Sequence, residues 1–323
     1  MEVALTEDQQ ELANTLRSLL AKQADSGAVR AAMASERGYD EPLWTTLTEQ
    51  IGVTALAVPE EYEGVGASLM ETAVALEEVG RSLAPSPLLA SAIGVAALLL
   101  HGSDEQRADL LPRIAAGTSA TVVIEPPLVL EPGAEIVLVP RGNMLVVSEG
   151  RPESRPALDP TLRLGHLDTD AEPSQPLRDV AAALATALQV GAAQRGLDMT
   201  VAYAKERVQF GRPIGSFQAV KHRLADLLVL VEMSRSASWA ATGAASSYVL
   251  DPTPEGATTL RERAAVAQAY CSDALDAVAA ETIQLHGGIA ITWEHDAHLV
   301  FKRAHALSQL FGRAHEHRTR ITL

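Results

Sequence analysis

"RVQFGRPIGSFQ", residues 207–218, falls between two long alanine-rich stretches and reads as a clasp rather than a plain turn. Arg207 offers a planar fork of donors that suits phosphate oxygens and keeps its charge. Gly211 and Gly215 let backbone approach a ligand, and Pro213 stiffens the loop between them. A pyrophosphate carrying an aromatic base would suit such a site. Taken alone, an arginine and a phenylalanine at a helix end more often cap carbonyls and fill a gap in the core. A second segment, ETIQLHGGIAITWEHD at 281–296, adds Gln284 for a polar ligand edge and Gly287-Gly288 for close backbone approach. By itself it reads equally as a helix C-cap.

Around the clasp, helical character holds over 178–207, 217–249, 255–286 and 293 to about 318, the pattern of an antiparallel four-helix bundle. Upstream, Thr6 with Gln9, Ser68 with Glu71 and Ser103 with Gln106 are capping-box pairs that open helices. Asp40 and Pro42 start another helix, carrying Leu43, Leu47 and Ile51, which Gly52 closes. After Gly117 the composition shifts to short β-rich runs, TSATVVIEP, EIVLVP and MLVVSE. The proline-rich stretch 151–176 reads as irregular connection. The expected fold is therefore mainly α: an N-terminal helical domain (1–120), a reduced β-domain with linker (121–177) and a C-terminal four-helix bundle (178–323).

The 323 residues are 47% hydrophobic, enough for a large core. The longest apolar run, Leu88 to Leu100, is shorter than the ~20 residues a membrane span needs and reads as a buried helix. A formal charge of −15 argues against general attraction to nucleic acid or anionic membrane. The N-terminus lacks a basic start and apolar segment, and Cys271 is the single cysteine, which together suggest a cytoplasmic protein. Cys271 reads as a small buried side chain. His295, His298 and His305 fall on one predicted helix but form no His-Glu-x-x-His motif, so no metal site is expected. Glu294 and Asp296 read as caps of that helix, pairing with Lys302 or Arg303.

LTEDQQEL, LAVPEEYEGVG, ALEEVGRSLAPSPLL, GSDEQRADLLPRIAAG, YAKERVQFGRPIGSFQAVKHRLADL and QLHGGIAITWEHDAHLVFKRA occur in this order along nearly the whole chain. The ordered set resembles the acyl-CoA dehydrogenase family, flavoproteins with a helical, a β and a four-helix domain. The resemblance implies FAD, contacted across a subunit boundary by Arg-x-x-Phe-Gly, the following Gln and a Gln-x-x-Gly-Gly segment. Carried over, it nominates Arg207, Gln209, Phe210, Ile214, Phe217 and Gln218, with Gln284, Leu285, Gly287 and Gly288. Their expected contacts are the pyrophosphate and adenosine of a neighbouring subunit's flavin.

The pattern fails where the chemistry should lie. In many members the base that removes the α-proton of the thioester follows an aromatic residue and precedes glycine. Aligning through Lys302-Arg303 and Gln309 puts Gly312 at that place. In other members the carboxylate sits on the first bundle helix, where counting back from Tyr203 gives Ala181, with Asp179 on a different face. Asp179, at a helix start, reads as a cap, or as a base after a register shift. Ile124 replaces the threonine of a Thr-Glu-Pro segment, no Gly-Ser-Asp follows, and no tryptophan lies between Trp44 and Trp239. These losses resemble the short chains that pair with a full-length paralogue in an α2β2 assembly having fewer flavins than subunits. The expectation is a non-catalytic subunit lending FAD contacts in trans. The partner would supply the base and most of the acyl-CoA pocket, and electron-transfer flavoprotein would take up the electrons. Two alternatives stand beside it: a homo-oligomeric dehydrogenase with a relocated base, and a flavin-free acyl-CoA-binding scaffold.

Overall fold

The computed structural model describes residues 4–321. Six helices come first: α1 (Glu7–Gln23), α2 (Ser26–Ala34), α3 (Glu41–Thr45), α4 (Leu69–Ser82), α5 (Leu88–His101) and α6 (Asp104–Ala115). The Thr6, Ser68 and Ser103 capping boxes are all formed. Helix α2 was not expected from the sequence; the Asp25 side chain caps it by accepting from the Ala28 N–H. Past Thr45 the chain widens into a π turn, Thr46–Ile51, that Gly52 ends at φ +75°.

The β-region holds two small sheets. In one, β1 (Ala120–Val122) pairs in parallel with β3 (Ile136–Gly142), which forms a hairpin with β4 (Met144–Val147) and also meets β7 (Glu172–Pro173). In the other, β6 (Leu164–His166) lies antiparallel to both β2 (Leu128–Leu130) and β5 (Glu153–Arg155). Residues 151–176 are thus not a plain connection. They supply three strands of two or three residues, too short to show alternation. They also supply Asp159, fully buried, whose carboxylate accepts from Arg303 Nε at 2.5 Å and from the Thr161 N–H at 2.9 Å.

The bundle comprises α7 (Gln175–Glu206), α8 (Gln218–Leu250), α9 (Pro254–His286), α10 (Ala297–Leu307) and α11 (Ala314–Arg318). Three helices are long; the expected fourth, 293–318, is broken. Phe311 and Gly312 adopt φ +60° and +102°, left-handed values that cannot continue a right-handed helix. His295 therefore precedes α10 rather than lying on it. Asp296 pairs with Arg30 (2.8 Å) and Arg195 (3.6 Å), and Arg303 pairs with Asp159, not with the local acids expected.

Helix α7 is the axis of the molecule, buried almost without interruption from Leu177 to Leu197. Its alanines and Gly191 allow this: a Cβ on Gly191 would lie 2.0 Å from Glu77 O, and one on Gly80 2.6 Å from Leu188 O. The backbones of α4 and α7 touch, and one core joins the N-terminal helices, β1, β3 and the bundle. Cys271 is buried, its thiol pushed up to about 12 by burial, which makes it inert at neutral pH.

Candidate functional site

At one end of the bundle α7 stops, α8 starts and α9 stops. The Arg207 N–H donates to Tyr203 O (2.8 Å), closing α7. The chain then forms a hairpin of β8 (Val208–Gln209) and β9 (Arg212–Pro213). Its turn is Phe210-Gly211, with φ +54° and +78°. A phenylalanine in the left-handed region is strained by ~1–2 kcal/mol, and this one leaves its ring 92% exposed. The hairpin is held firmly all the same. Ile214 N–H donates to Arg207 O (2.8 Å), and Gly215 sits so close to α7 that a Cβ would be 2.8 Å from Ala204 O. Phe217 meets Phe210 edge-on at 6.2 Å, and the Arg212 guanidinium lies 4.1 Å over the Phe217 ring.

Arg207, Gln209 and Gln218 are exposed, and Ile214 and Phe217 half-buried. The Arg207 side chain makes no ion pair among the described residues. Across from this hairpin, α9 ends at His286 and Gly287 caps it at φ +65°. Gln284 is exposed and Leu285 partly so; a Cβ on Gly287 or Gly288 would meet nothing within 4 Å. The stacked rings of Tyr203 and His286, 4.4 Å apart, join the two segments. All ten nominated residues therefore belong to two limbs at one end of the bundle. An unpaired guanidinium, open glycine backbone and presented aromatic edges fit the phosphate and adenosine portion of a dinucleotide.

A different picture holds where the base is expected. A cavity of about 200 Å³ is lined by Ile124, Glu125, Arg178, Phe311, Gly312 and His317, among others. Phe311 lines it beside Gly312, so the position aligned with the base carries no carboxylate. The Phe311 N–H donates to Glu125 Oε2 (3.3 Å), and its carbonyl accepts from His317 Nε2 (2.8 Å). A Cβ on Gly312 would be 2.9 Å from His317 Nε2. His317 thus fills the space a side chain at 312 would need.

Asp179 is neither cap nor free base. Ser174 caps α7, while Asp179 is buried, accepts from Gln175 Nε2 (3.1 Å) and pairs with Arg320. Ala181 is buried inside the helix packing. Glu125 is the carboxylate that sequence reasoning passed over. Burial raises its proton affinity, partly offset by the Phe311 N–H and by Arg178. Its sole sequence signal was its place before Pro126 in the segment where Ile124 replaces threonine.

Residues 6–118 match the acyl-CoA dehydrogenase N-terminal domain and residues 179–322 the acyl-CoA dehydrogenase C-terminal domain, flanking the reduced β-region. Acyl-CoA dehydrogenase IpdE2 of Mycobacterium tuberculosis is 46% identical over 311 residues, covering 94% of this chain and 93% of the relative. The chain belongs to the acyl-CoA dehydrogenase family. Its cofactor is accordingly FAD, and its fold is that of these dehydrogenases. IpdE2 of Mycolicibacterium smegmatis is 44% identical, with 98% of each chain covered. Among solved structures, the Tcur3481-Tcur3483 steroid ACAD G363A variant superposes with a TM-score of 0.85 at 30% identity, over 98% of this chain and 96% of that one. The ChsE4-ChsE5 complex from Mycobacterium tuberculosis gives 0.83 at 26%, over 99% and 97%. No helix among the described residues is long and apolar enough to cross a membrane.

Proposed function

We propose that this dehydrogenase chain is the non-catalytic subunit of a heteromer and lends its two limbs to an FAD held mainly by a full-length paralogue. Arg207 would neutralise the pyrophosphate. Gln209, Phe210, Ile214, Phe217 and Gln218 would shape one side of the dinucleotide's tail, and Gln284, Leu285, Gly287 and Gly288 the other. Bound there, FAD would supply the hydride-accepting chemistry needed to desaturate an acyl-CoA. The partner provides the base and most of the acyl pocket, in an α2β2 assembly that passes electrons to electron-transfer flavoprotein. One observation carries this reading: an exposed, rigid clasp with an unpaired arginine coexists with a base position where His317 leaves no room for a side chain. The similarity to two complexes named for pairs of chains points the same way.

The test is production alone and with the paralogue. The lone chain should be nearly colourless and inactive, and the co-produced complex yellow and active. In the complex, Arg207→Ala should weaken FAD retention about 10- to 100-fold, as expected for losing a charge-assisted hydrogen bond of about 1.5–3 kcal/mol. Full flavin occupancy and turnover by the lone chain would refute the reading.

A second reading, a homomeric dehydrogenase with a relocated base, has Glu125 in its favour rather than Asp179, because Glu125 lines the cavity with raised proton affinity. The size of that cavity weighs against it: about 200 Å³ is below the ~300–1,000 Å³ usual for a small-ligand site. Turnover by the lone chain that Glu125→Gln abolishes would reverse this judgement.

A further inference from the structure

The two limbs come from helices that run side by side, and their separation has a specific cause. Within the bundle, α7 and α9 are tied by Thr200 Oγ1 and Thr282 Oγ1 at 3.1 Å. About one turn further on, the Tyr203 ring stacks on the His286 ring at 4.4 Å with an interplanar angle of 29°. Each partner is fused to one limb. The Tyr203 carbonyl receives the Arg207 N–H at 2.8 Å, and His286 is the residue before Gly287. His295 also packs on His286, at 4.7 Å with the rings tilted by 55°, its Nδ1 accepting from the Ala297 N–H at the start of α10. A column of three rings thus ties α7, α9 and α10 together beneath the clasp.

His286 is the centre of that column and is chemically unusual. It is 4% exposed. Its Nδ1–H donates to Thr282 O (2.7 Å), so in the neutral ring Nε2 carries a lone pair, and this buried nitrogen has no hydrogen-bond partner. A proton on Nε2 would place charge on a buried ring, a cost that backbone hydrogen bonding with Thr282 and Met199 offsets only in part.

We propose that Tyr203 and His286 are positioning residues: their stack fixes the spacing of the two limbs, and retention of the shared flavin depends on a neutral imidazole at 286. This deepens the flavin-clasp reading and rests on it. Burial is the main influence that favours the neutral ring, and His295 adds to it, whereas backbone hydrogen bonds with Thr282 and Met199 oppose it. The groups facing the column are Tyr203 from α7 and His295, and behind His295 lie Asp296, Arg195 and Arg30. The sign follows from the lowered affinity. The neutral stack is fully present above the ordinary histidine value of 6.5 and is lost as pH falls through the lowered one.

The experiment uses the co-produced complex, measuring FAD retention by absorbance after gel filtration between pH 7.5 and 5, with assembly checked in the same run. Tyr203→Phe and His286→Phe keep a ring and should hold flavin nearly as the parent does at pH 7.5. Tyr203→Leu and His286→Ala should lose it about 2- to 10-fold more readily, the change to which an aromatic contact of ~0.5–1.5 kcal/mol converts. The parent should release flavin on acidification with a step that His286→Phe lacks. If Tyr203→Leu retains flavin like the parent while Arg207→Ala releases it, the positioning role is wrong. An unchanged acid step in His286→Phe also refutes it, and this arm decides even if Tyr203→Leu fails to assemble. If Arg207→Ala releases nothing, the flavin-clasp reading itself fails.

Discussion

Restoring a side chain at Gly312 tests the claim that the base position is structurally closed and not merely substituted. Gly312 sits at φ +102°, where any L-residue is strained, and its missing Cβ would lie 2.9 Å from His317 Nε2. His317 would have to retreat, giving up its bond to the Phe311 carbonyl. Strain of about 1–3 kcal/mol and an unsatisfied buried group at about 1–3 kcal/mol together give roughly 2–6 kcal/mol, against typical total stabilities of ~5–15 kcal/mol. Most of this arises at Cβ, so Gly312→Ala should be nearly as destabilising as Gly312→Glu. The assay is denaturant unfolding of both variants and the parent, read as midpoint shifts at constant slope. Gly312→Glu should also give the lone chain no turnover, since already its Cβ would lie 2.9 Å from His317 Nε2 and 3.8 Å from Glu316 Oε2, which leaves the side chain no clear path into the cavity. A neutral Gly312→Ala, or an active Gly312→Glu, would show that the loop adapts freely and that the closed-site reasoning is mistaken.

Arg303→Met should destabilise the fold by about 3–5 kcal/mol, because Asp159, with no exposure, would be left charged and unpaired. Adding Asp159→Leu should recover most of that loss in the same unfolding assay. Glu131 is buried, its Oε1 has no partner, and burial raises its carboxyl to about 7 from 4.5. The folded state therefore holds this proton more tightly than the unfolded state, and the associated stability is lost as pH rises from about 4.5 to 7. Glu131→Gln should be close to neutral at pH 4.5 and stabilising, by up to about 3 kcal/mol, at pH 8; an equal effect at both pH values would contradict the assignment.

The sequence disclosed what is locally encoded. The capping boxes at Thr6, Ser68 and Ser103 involve residues three apart and formed as read. The long helices and the hairpin limb could be traced because alanine-rich periodicity breaks sharply at Arg207 and Phe217. Helix α2 was overlooked because SGAVRAAMA is short and begins with a serine and a glycine, leaving Asp25 as its main signal. The break in the last helix lay in Phe311-Gly312, but the surrounding histidines and arginines continued the helical pattern across it. Contacts between distant residues were illegible. Asp179 meets Arg320 from 141 residues away, and Arg303 meets Asp159 from 144, so neither partner could be assigned from spacing. The same applies to the cavity, where Glu125 and Phe311 converge from opposite sides of the chain.

The hairpin tip has a consequence for how the polypeptide is made. A phenyl ring standing almost fully in water is a liability in a crowded compartment until another surface covers it. If the proposed heteromer forms, balanced synthesis of the two chains would limit the time it stays wet. An excess of this chain should be the first material to self-associate or to be removed by quality control.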